Sequence, residues 1–221
     1  MGVPVRRRSS ERLRLVTTVT AMPRYPPQQL ARTVAALDLL SGGRVTLGAG
    51  LGIDSDVAPF GGPMDQQVRA GMLDEGLELL VALLSGRQVA HRGTFYTAEE
   101  VRLLPTPVQQ PRVPVWIGGS SSAALRRAAR WDGWIIGAVD EEGTVTLPPE
   151  ALAEHVDRIL RERDDEAPFD VAVTSISGSG EDEGARAYAA AGATWWFECV
   201  YPSRGTEAEM LTRVAAGPPA G

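Results

Sequence analysis

The sequence predicts an α/β protein of about six strand–helix units with parallel strands. Three observations carry this. Short β-branched runs alternate with helical stretches from Leu13 to Ala216. Strands in such a succession are joined by right-handed crossovers, which makes them parallel. The composition, 43% hydrophobic and 23% charged, is that of an ordinary globular domain. An open doubly wound sheet and a (β/α) barrel both satisfy the pattern, and the spacing alone does not choose between them.

Leu13 to Thr20 (LRLVTTVT) is β-rich and reads as the first strand. Pro26 and Pro27 start a helix with Leu30, Val34 and Leu37 on one face, and Ser41-Gly42-Gly43 stops it. Val45 to Gly50 is the second strand. A loop from Ile53 to Pro63 leads to a long helix, Met64 to Leu84, with the stripe Leu73, Leu77, Leu80 and Leu84. Residues 87–112 break the rhythm and read as an insertion with a hairpin around Gly93, running into a Pro-rich stretch. Val115 to Gly118 is the third strand, followed by a helix from Ser120 to Arg130. Trp134 to Val139 is the fourth, with a helix from Pro148 to Arg163 that turns Leu152, Val156 and Ile159 inward. Phe169 to Ile176 and Ala193 to Val200 are the fifth and sixth strands, each followed by a helix, Asp182 to Ala191 and Glu207 to Ala216. The tail 217–221 reads as disordered.

Absences narrow the chemistry. All 22 basic residues are Arg, so Schiff-base, pyridoxal and phosphate-loop lysines are excluded. With only His91 and His155, no His-Glu-x-x-His metal motif is possible, and the single Cys199 excludes an internal disulfide and a cysteine zinc cluster. Gly118 to Ser122 and Gly178-Ser179-Gly180 both fail the serine-elbow pattern. The net charge of −6 argues against a nucleic-acid partner. No apolar run reaches the roughly 18 residues of a membrane span. Arg6, Arg7 and Arg8 precede no signal-peptide core, so the chain reads as cytoplasmic. Reactive chemistry would come from a cofactor.

Val115 to Ser120 is the best local signal. A buried strand ends in Gly118 and Gly119, and a helix opens at Ser120. Glycines let a phosphate approach backbone N–H groups, and the Ser120 hydroxyl can donate. A tight turn with Ser120 as a helix cap fits the same residues. Gly48-Ala49-Gly50-Leu51-Gly52 departs from the dinucleotide fingerprint, because no helix opens directly after it. It reads better as a strand end shaped for close approach of something flat. Asp54, Asp56 and Asp65 read as a solvated loop rather than a metal site, and His91 and His155 as surface residues. Trp131, Trp134, Trp195 and Trp196 could face a cofactor, but burial alone explains most tryptophans in strands.

Three segments together resemble the bacterial-luciferase-like family of flavin- and deazaflavin-dependent oxidoreductases. They are Thr17 to Pro23 with Leu37-Asp38-Leu39-Leu40-Ser41-Gly42-Gly43-Arg44 and Leu47 to Gly52; Leu104-Pro105 through Pro111, Pro114, Trp116, Gly118 and Gly119; and Arg126 to Arg130 with Asp132-Gly133-Trp134. The likeness runs from about residue 9 to about residue 140, and the Leu-Asp-x-Leu-Ser-Gly-Gly-Arg segment is its most specific part.

The resemblance implies a (β/α)₈ TIM barrel, here incomplete, with residues 1–221 as one domain. The implied cofactor is FMN or the deazaflavin coenzyme F420. Its ring lies over Thr18, Val19 and Thr20, where members carry a bulge with a non-proline cis peptide. Gly48 and Gly50 line the same cavity, and Gly118, Gly119 and Ser120 hold the phosphate. The insertion matches one beside the active-site mouth. A small organic substrate, a homodimer and a separate flavin reductase are the implied partners; no catalytic residue is implied. Ser9 to Leu15 resembles the end of a second helix, which would place two strand–helix units before this sequence and leave the outer edges of the first and last strands unpaired. The implied activity is oxygenation or hydride transfer. A non-catalytic flavin-binding remnant of the barrel and an unrelated open-sheet nucleotide-binding domain are the alternatives.

Overall fold

The computed structural model describes residues 12–140, 143–177, 183–201 and 204–217. It divides between Pro114 and Val115 into two compact units.

In the first unit β1 (Leu15–Val16) and β2 (Thr20–Ala21) both pair in parallel with β3 (Val45–Gly50). One strand over Leu13 to Thr20 was the expectation; two short pieces are found. Val16 faces Thr46 and Thr20 faces Ala49, so four steps on one side oppose three on the other. The extra residue is a bulge, which interrupts the ladder. Arg12 to Arg14 are not helical, which corrects the helix-end reading there; Ser9 lies outside the described residues.

Helix α1 (Pro27–Ser41) begins on the fixed φ of its prolines and ends at Gly42. Leu30 and Val34 are buried as expected, but Leu37 is 44% exposed, and Ala31, Ala35 and Asp38 complete the inner face. The expected loop 53–63 holds a short helix α2 (Asp54–Val57) and a 3₁₀ turn (Ala58–Phe60). The Asp56 carboxylate caps α2 by accepting the Ile53 N–H. Asp65 caps α3 (Gln66–Leu84) by accepting from Gln67 N. The stripe Leu73, Leu77, Leu80 and Leu84 is buried, each side chain contributing about 1.5–3 kcal/mol. A hairpin follows, β4 (Val89–Arg92) and β5 (Thr97–Val101).

The most specific segment of the resemblance has a structural task. Asp38 is fully buried, and its carboxylate accepts Val108 N at 2.8 Å, Gln109 N at 3.0 Å and Gln109 Nε2 at 2.7 Å. The same Nε2 donates to Val45 O. Ser41 and Arg44 tie the turn together, and Arg44 Nη1 reaches Leu13 O at 2.6 Å. The segment clamps the Pro-rich stretch and Leu13 to the N-terminal end of β3, the stability end of barrel strands.

The second unit is a parallel sheet in the order β6 (Val115–Gly118), β7 (Gly133–Gly137), β8 (Asp170–Ser175), β9 (Trp195–Glu198). It carries α4 (Ser122–Ala128), α5 (Pro149–Glu162), α6 (Glu183–Ala190) and α7 (Glu207–Ala216). Leu152, Val156 and Ile159 are inward, as α5's periodicity requires. Helix α4 starts at Ser122 with Ser121 as its cap, not at Ser120, because Ser121 Oγ accepts Ala124 N. Asp182, Gly178-Ser179-Gly180 and residues 218–221 lie outside the described residues.

The fold is therefore α/β, of the TIM-barrel type and incomplete. Among the described residues β1 has no partner beyond β3, and β9 none beyond β8.

Candidate functional site

In the first unit the bulge is built from side chain to backbone. Thr17 Oγ1 donates to Gly48 O and accepts from Gly48 N, both at 2.9 Å. Thr20 Oγ1 donates to Thr17 Oγ1 at 3.1 Å. One hydroxyl thus replaces the ladder bonds that the bulge breaks. The Thr18–Val19 peptide is cis. A Cβ on Gly48 would sit 1.9 Å from Thr17 O, and one on Gly50 would sit 2.9 Å from Val19 Cγ2. What approaches these glycines closely is the chain itself. They admit the bulge, and the bulge in turn displays Thr17, Thr18 and Val19 to solvent, with Thr20 half-buried.

The β3–α3 connection flanks this segment in sequence. Arg69, 1% exposed, donates through Nη1 to Asp54 Oδ1 at 2.9 Å. Asp54, Asp56 and Asp65 therefore have separate local tasks: an ion pair, the cap of α2 and the cap of α3.

In the second unit the loop Gly118-Gly119-Ser120 leaves β6 with Gly119 and Ser120 exposed. Gly119 has φ +109, a region that L side chains rarely adopt. Its carbonyl accepts the indole N–H of the fully buried Trp134 at 2.8 Å. The helix cap is not Ser120 but the next residue, Ser121, whose hydroxyl accepts Ala124 N. Arg158 Nη1 donates to Ser122 Oγ at 2.9 Å, beside the loop in sequence.

Two carboxylates that the sequence did not single out collect donors. Glu75 on α3 accepts Thr94 N, Phe95 N and Tyr96 N, with His91 Nε2 at 3.1 Å. Burial pushes the Glu75 carboxyl up, but His91 and these N–H groups outweigh it and hold it below its usual value. His91 is thus a half-buried hairpin anchor rather than a free surface residue. His155 is half-buried too, its ring 5.8 Å from that of Trp134. At the end of β9, Glu198 accepts Arg204 Nη1 at 2.7 Å, Arg213 Nη1 at 2.6 Å, Trp196 Nε1 at 3.1 Å and Ser177 N at 3.0 Å. Burial raises the Glu198 carboxyl, and Arg204, the Ser177 N–H and Trp196 bring it below the ordinary value. No pattern in the sequence marks either site, because the donors are mostly backbone groups and distant arginines. No described helix is long and apolar enough to cross a membrane.

The family model for luciferase-like monooxygenases matches residues 9–215. The chain belongs to the luciferase-like monooxygenase family. It is 38% identical over 164 residues to an F420-dependent glucose-6-phosphate dehydrogenase of Beutenbergia cavernae, covering 71% of this chain and 48% of that one. Among solved structures it resembles the coenzyme F420-dependent tetrahydromethanopterin reductase of Methanopyrus kandleri, with TM-score 0.63, 21% identity, and 77% and 52% of the two chains covered. It also resembles the oxygenating constituent of 3,6-diketocamphane monooxygenase of Pseudomonas putida in complex with FMN, with TM-score 0.60, 18% identity, and 74% and 48% covered. The chain spans about half the length of the curated relatives it matches. The family match extends past the stretch that carried the resemblance in sequence and takes in β8, β9 and most of α7.

Proposed function

We propose that this chain is the flavin- or deazaflavin-binding part of an oxidoreductase acting on a small organic substrate. The observation that carries the reading is the bulge at Thr17 to Thr20. The Thr17 hydroxyl and two glycines hold Thr18 and Val19 at an exposed turn, where a regular strand would satisfy its own backbone without them. A planar ring finds there the apolar Val19 and adjacent backbone polar groups. In the second unit, Gly119 and Ser120 offer exposed backbone and a hydroxyl to a phosphate, and the cap of α4 is the neighbouring Ser121. The relative from Beutenbergia and the structure from Methanopyrus are named for F420, and the Pseudomonas structure holds FMN. Both cofactors carry a flat tricyclic ring, which suits the bulge taken by itself, and a phosphate, which suits the glycine loop taken by itself. The cofactor supplies hydride transfer or, with oxygen, oxygenation. The chain's own residues would place the ring and hold the phosphate; none of them is assigned as a proton donor.

The test is reactivity. The purified chain, loaded with FMN or F420, is supplied with reductant and oxygen, or with a panel of alcohols and sugar phosphates, and cofactor oxidation state is followed by absorbance. Substrate-dependent oxidation or reduction supports the proposal. Binding without turnover across the panel favours a non-catalytic flavin-binding remnant. One observation speaks for that second reading: Leu13, just before β1, and Leu15, within it, are 65% and 45% exposed, an apolar edge of the kind that proteins usually cover.

A further inference from the structure

We propose that Trp134 is a positioning residue that fixes which way the Ser120 backbone N–H points. The inference rests on the phosphate-loop reading above and names what holds that loop in shape. Trp134 sits on β7 beside Ile117 of β6, with 0% of its surface exposed. Its indole N–H donates to Gly119 O at 2.8 Å. The Gly119–Ser120 peptide is not among the cis bonds. In a trans peptide the carbonyl and the following N–H point in opposite directions. Holding the Gly119 carbonyl inward therefore sends the Ser120 N–H outward, on the exposed side of the loop.

The alternative orientation is accessible. Turning this peptide rotates ψ of Gly119 and φ of Ser120, and glycine, lacking a Cβ, leaves the first of these rotations open. Without its buried partner the carbonyl would turn toward water, and an acceptor oxygen would face an incoming anion where a donor should be. Burial alone explains an aromatic ring at position 134, but it does not explain the paired N–H. Trp116, equally buried in the same unit, leaves its indole nitrogen without a partner. The ring of His155 on α5 lies against the Trp134 ring, tilted by 47° with centroids 5.8 Å apart.

The experiment compares each cofactor with its phosphate-free form, FMN with riboflavin and F420 with its ribityl deazaflavin, by fluorescence titration of the full chain. Trp134→Phe removes the donor and keeps a ring. A second variant carries 3-benzothienylalanine at position 134, which exchanges only the N–H for sulfur and preserves the shape should the Phe variant fold poorly. Wild type is expected to prefer the phosphorylated member of one pair at least tenfold. Both variants should lose at least fivefold of that preference, with affinity for the phosphate-free member unchanged. Equal weakening of both members would mean that Trp134 only supports the fold, and a fully retained preference would mean that it does not set the loop; either overturns the inference while the phosphate loop stands. If wild type shows no preference or binds neither pair, the phosphate-loop reading falls and this inference falls with it.

Discussion

The hydroxyl of Thr17 both donates to and accepts from the backbone of Gly48, at 2.9 Å in each direction. A single side chain thereby closes the gap that the bulge opens between β1, β2 and β3. Gly48 is irreplaceable in this arrangement, since a Cβ there would lie 1.9 Å from Thr17 O. Gly48→Ala should destabilise the protein by roughly 2–3 kcal/mol, the upper range for overpacking a rigid site. Urea unfolding of the two proteins side by side measures it. Unchanged stability would mean that the bulge relaxes freely around an added Cβ.

Asp38 supplies a second test. Asp38→Ala leaves the N–H groups of Val108 and Gln109 without their acceptor and removes one of the two acceptors of the Gln109 side-chain amide. Buried unsatisfied donors cost about 1–3 kcal/mol each, softened where water enters. A loss of about 3 kcal/mol is expected, together with faster proteolysis within residues 104–112. The site of first cleavage, read by mass spectrometry, separates this local release from general loosening.

These two residues show what the sequence makes legible. The Leu-Asp-x-Leu-Ser-Gly-Gly-Arg segment identifies the family, yet its physical task is a clamp whose partners Val108 and Gln109 lie far along the chain. Helix and strand positions follow from periodicity, which is local, so the stripe Leu73 to Leu84 and strand β3 are readable. The split of the first strand is not, because it depends on a hydroxyl bonding across to Gly48. The loop after β6 is readable as two glycines and a serine, but its support by Trp134 is not, since the tryptophan's burial hides a hydrogen bond. The Glu75 nest is invisible for the same reason: its donors are mostly backbone groups of the hairpin.

Glu75 makes stability depend on pH. Its folded carboxyl binds a proton less readily than the usual 4.5, so its stabilising share is whole above that value and is lost as pH falls below it toward the lower folded value. Glu198 behaves in the same direction. Unfolding free energy should therefore drop as pH falls below the ordinary carboxyl value of 4.5. Glu75→Gln should flatten part of this slope and leave the part due to Glu198. An identical acid slope in the variant would show that the hairpin is held by other contacts.

Gly119→Asp places a carboxylate in the exposed loop where a phosphate is proposed to sit. Like charges at close range in a partly desolvated site repel by several kcal/mol, reduced by solvent. Cofactor affinity should fall at least tenfold. Because φ +109 strains any side chain, Gly119→Ala serves as the reference, and the extra loss from Ala to Asp is the electrostatic part. Equal affinities for the Ala and Asp variants would remove the phosphate from this loop.

The most direct measurement of the central claim is what the purified 221-residue chain retains when offered FMN and F420 together and then desalted. The absorption spectrum of the protein fraction should show one of the two, near stoichiometric, and a Gly119→Asp sample handled alongside should show markedly less. A colourless protein fraction from a folded wild-type chain would contradict the account.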